Sequence, residues 1–279
     1  MTDNDSVVGI RLKLPSADVF VRVCGEGRPV VLLHGGGPGT SGDGWVDCMM
    51  ACAAGLQLFA PDLPGFGDSG PLDSASEYGN AAFVAATLAM LDALCLPHVT
   101  LAGHSMGASV AAAIAARHPE RVEKLLLLAP GGAFFGFTDY ESPGMTQIAR
   151  TTLDPSIDNV RALVDLMSSQ DAEGRARQVE HRLQRLRQPG ILEGQRALLN
   201  ARSTLDATAI AQRAEMAGRI QSFERPVTLI WGAEEAFNPA VLGDRIRAVL
   251  PSHTSYYVIP GAGHNVQYDQ PRSVAQLIG

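Results

Sequence analysis

The chain has 279 residues, 46% of them apolar and 18% charged, enough for one sizeable buried core but not for two full domains, and too apolar for a disordered chain. A net charge of -7 disfavours nucleic acid and anionic membrane as partners. The N-terminal Met1-Thr2-Asp3-Asn4-Asp5 lacks the basic-then-apolar pattern of a secretion signal, and no apolar run reaches the ~18 residues of a membrane span.

Residues 8–14 and 18–23 alternate apolar and polar around Pro15-Ser16 and predict a β-hairpin. Residues 29–33 form a continuous apolar run that ends in glycines, the pattern of a fully buried parallel strand. A helix is expected over 43–54, carrying Cys48 and Cys52. With Cys24 and Cys95 these cysteines show no metal-ligand spacing, so buried, reduced thiols in a cytoplasmic protein are expected. Strand-like runs follow at 56–60, 99–102, 124–128, 227–231 and 254–259, and helical patterns at 80–95, 106–117 and 239–249 separate most of them. Such alternation predicts an α/β fold, a mostly parallel central sheet with helices on both faces. Between Gly131 and Arg225 the rhythm breaks. Arginine-rich amphipathic segments at 158–169, 172–187 and 193–201 take over, punctuated by Pro143, Pro155 and Pro189. The chain therefore divides into a core of residues 1–130 and 226–279 and an inserted helical cap of residues 131–225, placed over the carboxyl ends of the strands where ligands bind. Phe134, Phe135, Phe137 and Met145 are either the wall of an apolar pocket or ordinary core.

Gly103-His104-Ser105-Met106-Gly107 fits G-x-S-x-G between a predicted strand and a predicted helix. A serine on such a turn needs strained backbone angles and small neighbours, which Gly103 and Gly107 supply, and the helix start brings N–H groups beside its oxygen. Ser105 is thus the candidate nucleophile. His34-Gly35-Gly36-Gly37-Pro38-Gly39 follows another strand, and a glycine turn there can offer an N–H to an oxyanion together with that of Met106. Gly37-x-Gly39-x-x-Gly42, with Asp62 about twenty residues on, also has the form of a dinucleotide fingerprint, although Pro38 removes an N–H from it. In an order of serine, acid and base, His264 on the glycine-rich loop after residues 254–259 is the candidate base. The acid must come from Trp231-Gly232-Ala233-Glu234-Glu235, since no aspartate lies between Asp206 and Asp244; Glu235 is favoured and Glu234 is the alternative. This chemistry needs neither metal nor organic cofactor, and the expected partner is a small-molecule substrate, with a homo-oligomer left open.

Across nearly its whole length the chain resembles the α/β-hydrolase superfamily. His34-Gly35, Asp62 to Ser69 (Asp-x-Pro-Gly-x-Gly-x-Ser), the serine pentapeptide, Trp231-Gly232 with its acid, and Gly263-His264 occur in that family's order. Within it, His34 to Gly39 followed by Trp45 resembles the meta-cleavage-product hydrolases, which split a carbon–carbon bond in vinylogous 1,5-diketones. The resemblance implies Gly36 and Met106 as oxyanion donors and Arg182 as the grip on a substrate carboxylate. It places Gly37, His104 and Asn265 beside the substrate. Three positions depart from that pattern. His104 stands where a small or amide residue is common, Asn265 where tryptophan is usual, and Asp47 where asparagine is typical, adding a carboxylate near an anionic substrate. Members of the family run on past the position of Gly279, which implies a trimmed C-terminus. The alternatives are a carboxylesterase or lactonase, whose members share the Gly-His-Ser-Met-Gly turn, and a non-catalytic binding protein of the same fold.

Overall fold

The computed structural model describes residues 6–52, 54–72, 78–203 and 215–279. Eight strands form one sheet: β1 (Val8–Lys13), β2 (Asp18–Cys24), β3 (Arg28–Leu33), β4 (Leu56–Pro61), β5 (Val99–His104), β6 (Val122–Leu128), β7 (Val227–Gly232) and β8 (Ser255–Ile259). Their spatial order is β1-β2-β4-β3-β5-β6-β7-β8, with β2 antiparallel to both its neighbours and every other pair parallel. The predicted runs therefore fall on strands, the N-terminal hairpin included.

Alternate residues of the central strands feed opposite faces, as a pleated strand requires. Val31, Leu33, Leu101 and Leu229 pack with α2 (Asn80–Ala93), α3 (Met106–Arg117) and the helix Val241–Val249. Val30, Leu32, Leu126 and Ile230 pack with α1 (Val46–Ala51) and the helix Pro271–Ile278. Burial on both faces is why these strands read as unbroken apolar runs. The helix expected over 43–54 is shorter, a 3₁₀ turn at Gly42–Trp45 running into α1.

Between β6 and β7 lie α4 (Pro143–Leu153), α5 (Ile157–Met167), α6 (Ala172–Leu186) and α7 (Ile191–Ser203). Pro143 starts α4 rather than breaking the chain: it follows the N-cap Ser142, whose Oγ accepts from Met145 N at 3.1 Å. Phe134 and Phe135 join the main core of the sheet, the second of the two alternatives open for that group. A separate apolar cluster, Ile148, Leu163, Met167 and Phe237, joins α4 and α5 to the loop after β7.

The chain leaves β3 for β4 on one side and returns to β5 on the other. That reversal opens a crevice at the carboxyl ends of β3 and β5, the place where open α/β sheets bind ligands. His34 to Gly39 extends from β3 and Ser105 follows β5, so both motifs meet at that crevice.

Candidate active site

Ser105 occupies the turn between β5 and α3 with φ 51° and ψ -111°, a left-handed geometry that costs a non-glycine residue about 1–3 kcal/mol. The turn is over-determined by its surroundings. Ser105 N donates to Leu128 O at 2.8 Å, and neither flanking glycine has room for a side chain. A Cβ on Gly103 would overlap the carbonyl of Gly107, and one on Gly107 would overlap the carbonyls of Leu33 and His34. Met106 N, at the first turn of α3, has no backbone acceptor among the described residues, and neither has Gly36 N. Two N–H groups without backbone acceptors, one at the serine turn and one in the glycine loop that meets it, are the kind of donors that stabilise a developing oxyanion.

His264 and Glu235 meet through Nδ1 and Oε2 at 2.8 Å, with side-chain exposures of 0% and 1%. The other carboxylate oxygen accepts from Phe237 N at 2.8 Å and Asn238 N at 3.1 Å, which fixes the acid on the loop after β7. Glu234 points elsewhere: it is exposed and accepts from Gly261 N at 3.1 Å. With Nδ1–H donating to Glu235, the lone pair of His264 falls on Nε2. That nitrogen is buried with no hydrogen-bond partner among the described residues. No hydrogen bond joins it to Ser105 Oγ here; such contacts commonly tighten only when substrate is bound. Phe237, which sequence reasoning missed, stacks on the imidazole at 4.1 Å and 11°, so the ring is held by packing as well as by charge.

The glycine loop is held rigidly. His34 Nε2 accepts from Leu63 N at 2.9 Å while Nδ1–H donates to Gly35 O at 2.7 Å, and burial pushes the pKa of His34 down, so it is a neutral structural residue. Thr40 Oγ1 reaches the carbonyls of Gly35 and Gly37 at 3.0 and 2.5 Å. A Cβ on Gly35 would lie 2.8 Å from His104 Nδ1 and 3.5 Å from Ser105 Cβ, which shows how closely the loop presses on the serine turn. The dinucleotide reading fails on Asp62, which is fully buried and accepts from Arg22 Nη1, Gly42 N and Asp68 N at 2.7, 2.6 and 2.7 Å. Paired with Arg22 and fully enclosed, that carboxylate is not presented to a ribose.

Arg182, on α6, is 3% exposed and reaches down to the same loop. Its Nη1 donates to Pro38 O at 2.8 Å and would lie 3.4 Å from a Cβ on Gly37. Among the described residues no carboxylate pairs with it within 4.0 Å. Burial pulls its pKa down, and the fields of Tyr268 and Asp43 pull the other way. Two residues expected at the substrate are engaged within the protein. His104 Nε2 bonds to His264 O at 2.8 Å, and its ring meets that of His264 edge-on at 4.9 Å. Burial and the neighbouring His264 keep the pKa of His104 well below the ordinary histidine value. Asn265 donates through Nδ2 to Gln178 Oε1 at 3.2 Å. Asp47 also departs from expectation, because it is exposed on α1.

A carboxylate that does face α6 is Asp43. It binds His181 at 2.7 Å and Arg185 at 3.1 Å, while Arg185 also reaches Asp68 at 2.8 Å. Burial raises the pKa of Asp43, but His181, Ser41 and Arg22 together outweigh it and hold the group far below the usual carboxylate range. The only sequence signal for this contact was the i, i+4 spacing of His181 and Arg185, which is equally common on solvated helix faces.

Residues 29–271 match the model of the alpha/beta hydrolase fold family, and the chain belongs to that family. It is similar to the 2-hydroxymuconate semialdehyde hydrolase of Pseudomonas sp. (strain CF600), 30% identical over 91% of this chain and 87% of that protein. It is 27% identical over its full length to the 2-hydroxy-6-oxo-2,4-heptadienoate hydrolase of Pseudomonas putida, covering 97% of that protein. The solved 2-hydroxy-6-oxo-6-phenylhexa-2,4-dienoate hydrolase of Rhodococcus sp. strain RHA1 superposes with a TM-score of 0.85, covering 98% of this chain and 97% of that one, at 20% identity. That likeness speaks to the fold, which a thermophilic esterase from Thermogutta terrifontis shares at a TM-score of 0.74. Among the described residues no helix is long and apolar enough to cross a membrane, and no group of histidine, cysteine and acidic residues could hold a metal.

Proposed function

We propose that the protein is a serine hydrolase that cleaves the carbon–carbon bond next to the distal ketone of a vinylogous 1,5-diketone carboxylate. Ser105 attacks the ketone carbon while His264 Nε2 takes its proton and Glu235 holds the imidazolium. The N–H groups of Gly36 and Met106 bind the oxyanion. As the tetrahedral intermediate collapses, the carbon–carbon bond breaks and its electron pair delocalises through the conjugated chain onto the second carbonyl oxygen. Water, activated by His264, then releases the acyl group from Ser105. The cap helices α4 to α7 close over this chemistry, and Ile148 and Met167 of the cap pack on Phe237, which stacks on His264.

The observation that carries the substrate class is Arg182. A buried guanidinium without a carboxylate partner is costly unless a ligand supplies the anion. It stands at Pro38 and Gly37, next to the proposed oxyanion donor, so a substrate carboxylate held there leaves the reacting carbonyl near Ser105. The curated relatives, named for hydrolysis of such dienoates, agree with this reading. Arg182→Ala is expected to lower kcat/KM for an anionic dienoate by about 10- to 100-fold, the worth of a desolvated charge-assisted contact. It should leave a neutral p-nitrophenyl ester within about threefold of wild type. Equal losses on the two substrates would reject the carboxylate grip.

A further inference from the structure

Building on that reading, we propose that Asp269 is a positioning residue for the base, tying the backbone beside His264 to the end of α5. The loop that carries His264 is clamped at the residue before it and at the residue after it. Before it, Gly263 N donates to Asp269 Oδ2 at 2.8 Å. After it, Asn265 N donates to Met167 O at 2.7 Å. Asp269 also binds the residues that follow α5: Oδ1 accepts from Ser168 Oγ at 2.6 Å and Oδ2 from Ser169 N at 2.9 Å, with Ser169 Oγ 3.1 Å from Oδ2. Ser169 Oγ donates to Gly261 O at 2.6 Å, so the segment Met167 to Ser169 meets the base loop directly at Gly261 and Asn265, and a third time through Asp269.

The chemistry of these contacts separates the tie from an ordinary ion pair. No cation lies within salt-bridge distance of Asp269 among the described residues; its oxygens are filled by neutral donors from two segments far apart in sequence. Such a carboxylate adds little by charge attraction. It sets the spacing between the base loop and the helical segment above it. Gly263 has no side chain to interfere: a Cβ there would lie 3.0 Å from Met167 O, so the two segments are already at closest approach. A shift of Gly263 carries His264 with it, away from either Glu235 or Ser105. The same segment supplies Met167, whose Sδ touches Arg182 Nη2 at 3.6 Å, so the base and the carboxylate grip are fixed against one piece of backbone.

The test is the time course of fluorophosphonate labelling of Ser105 in the full-length protein, as wild type and as Asp269→Asn, Asp269→Glu and Ser169→Ala. The end point counts competent folded protein, and the rate constant reports how well His264 is placed. Asp269→Asn is expected to reach the wild-type end point about 10- to 100-fold more slowly, since a misplacement of about 1 Å costs that much. Its kcat on a dienoate should fall by the same factor while KM stays within about threefold, and Asp269→Glu should recover most of the rate. A wild-type rate in Asp269→Asn overturns the proposal. So does a lowered end point whose competent fraction still labels at the wild-type rate, because that is a folding effect alone. Should Asp269→Asn not fold, Ser169→Ala carries the test: slower labelling supports the tie, and a wild-type rate rejects it. If the wild-type protein does not label at all, the hydrolase reading fails and this inference with it.

Discussion

Replacing Ser105 by alanine is expected to lower kcat on any substrate by about 10⁴-fold or more, because the nucleophile disappears and only binding and the oxyanion donors remain. The fold should hardly notice. Ser105 Oγ makes no hydrogen bond among the described residues, and the strained turn is held by the Ser105 N to Leu128 O bond and by the packing of Gly103 and Gly107, none of which involves the side chain. The unfolding free energy of the variant should stay within about 0.5 kcal/mol of wild type. Denaturant melts and turnover, measured on the same preparation, check the two statements together. A variant with near-wild-type turnover would remove Ser105 from the mechanism.

Glu235→Gln is expected to cut kcat by about 10²- to 10⁴-fold, the range for a triad whose imidazole loses charge compensation and its preferred tautomer. The amide keeps the size of the side chain, and its oxygen can still accept from Phe237 N and Asn238 N, so the loop after β7 should hold. What changes is the contact to His264: if the amide NH₂ faces Nδ1, the ring is pushed towards the tautomer that carries its proton on Nε2, where it cannot act as a base. Glu234→Gln, which alters an exposed contact to Gly261 N, should stay within about threefold of wild type. Steady-state kinetics of both variants discriminates the pair. A large loss in Glu234→Gln with a mild one in Glu235→Gln would reverse the assignment.

The fold was legible because its central strands are buried on both faces. Continuous apolar runs such as Val30 to Leu33 and Leu125 to Leu128 carry their own signal, and the intervening helices end near where their patterns do. The edge strand β8, half exposed, was legible too, from the strand-like run at 254–259. Local chemistry was equally readable: Gly103 and Gly107 announce a turn that permits no side chain. Long-range contacts left no such mark. Asp47 and Asp43 are four residues apart on consecutive turns, and only the fold decides that Asp43 meets His181 and Arg185 while Asp47 faces water. Asp269 lies five residues past His264 in a sequence stretch that also reads as an ordinary helix start before Pro271. Its partners Ser168 and Ser169 are about a hundred residues earlier, beyond the reach of any local pattern.

The most direct measurement is to incubate the purified protein with a 2-hydroxy-6-oxo-2,4-dienoate, whose keto tautomer is the vinylogous 1,5-diketone, follow the loss of its chromophore, and identify the products. The expected result is one carboxylic acid and one 2-hydroxydienoate in equal amounts, formed by wild type and not by Ser105→Ala. Rapid turnover of p-nitrophenyl esters with no cleavage of the dienoate would contradict the carbon–carbon assignment and leave Arg182 without its anion.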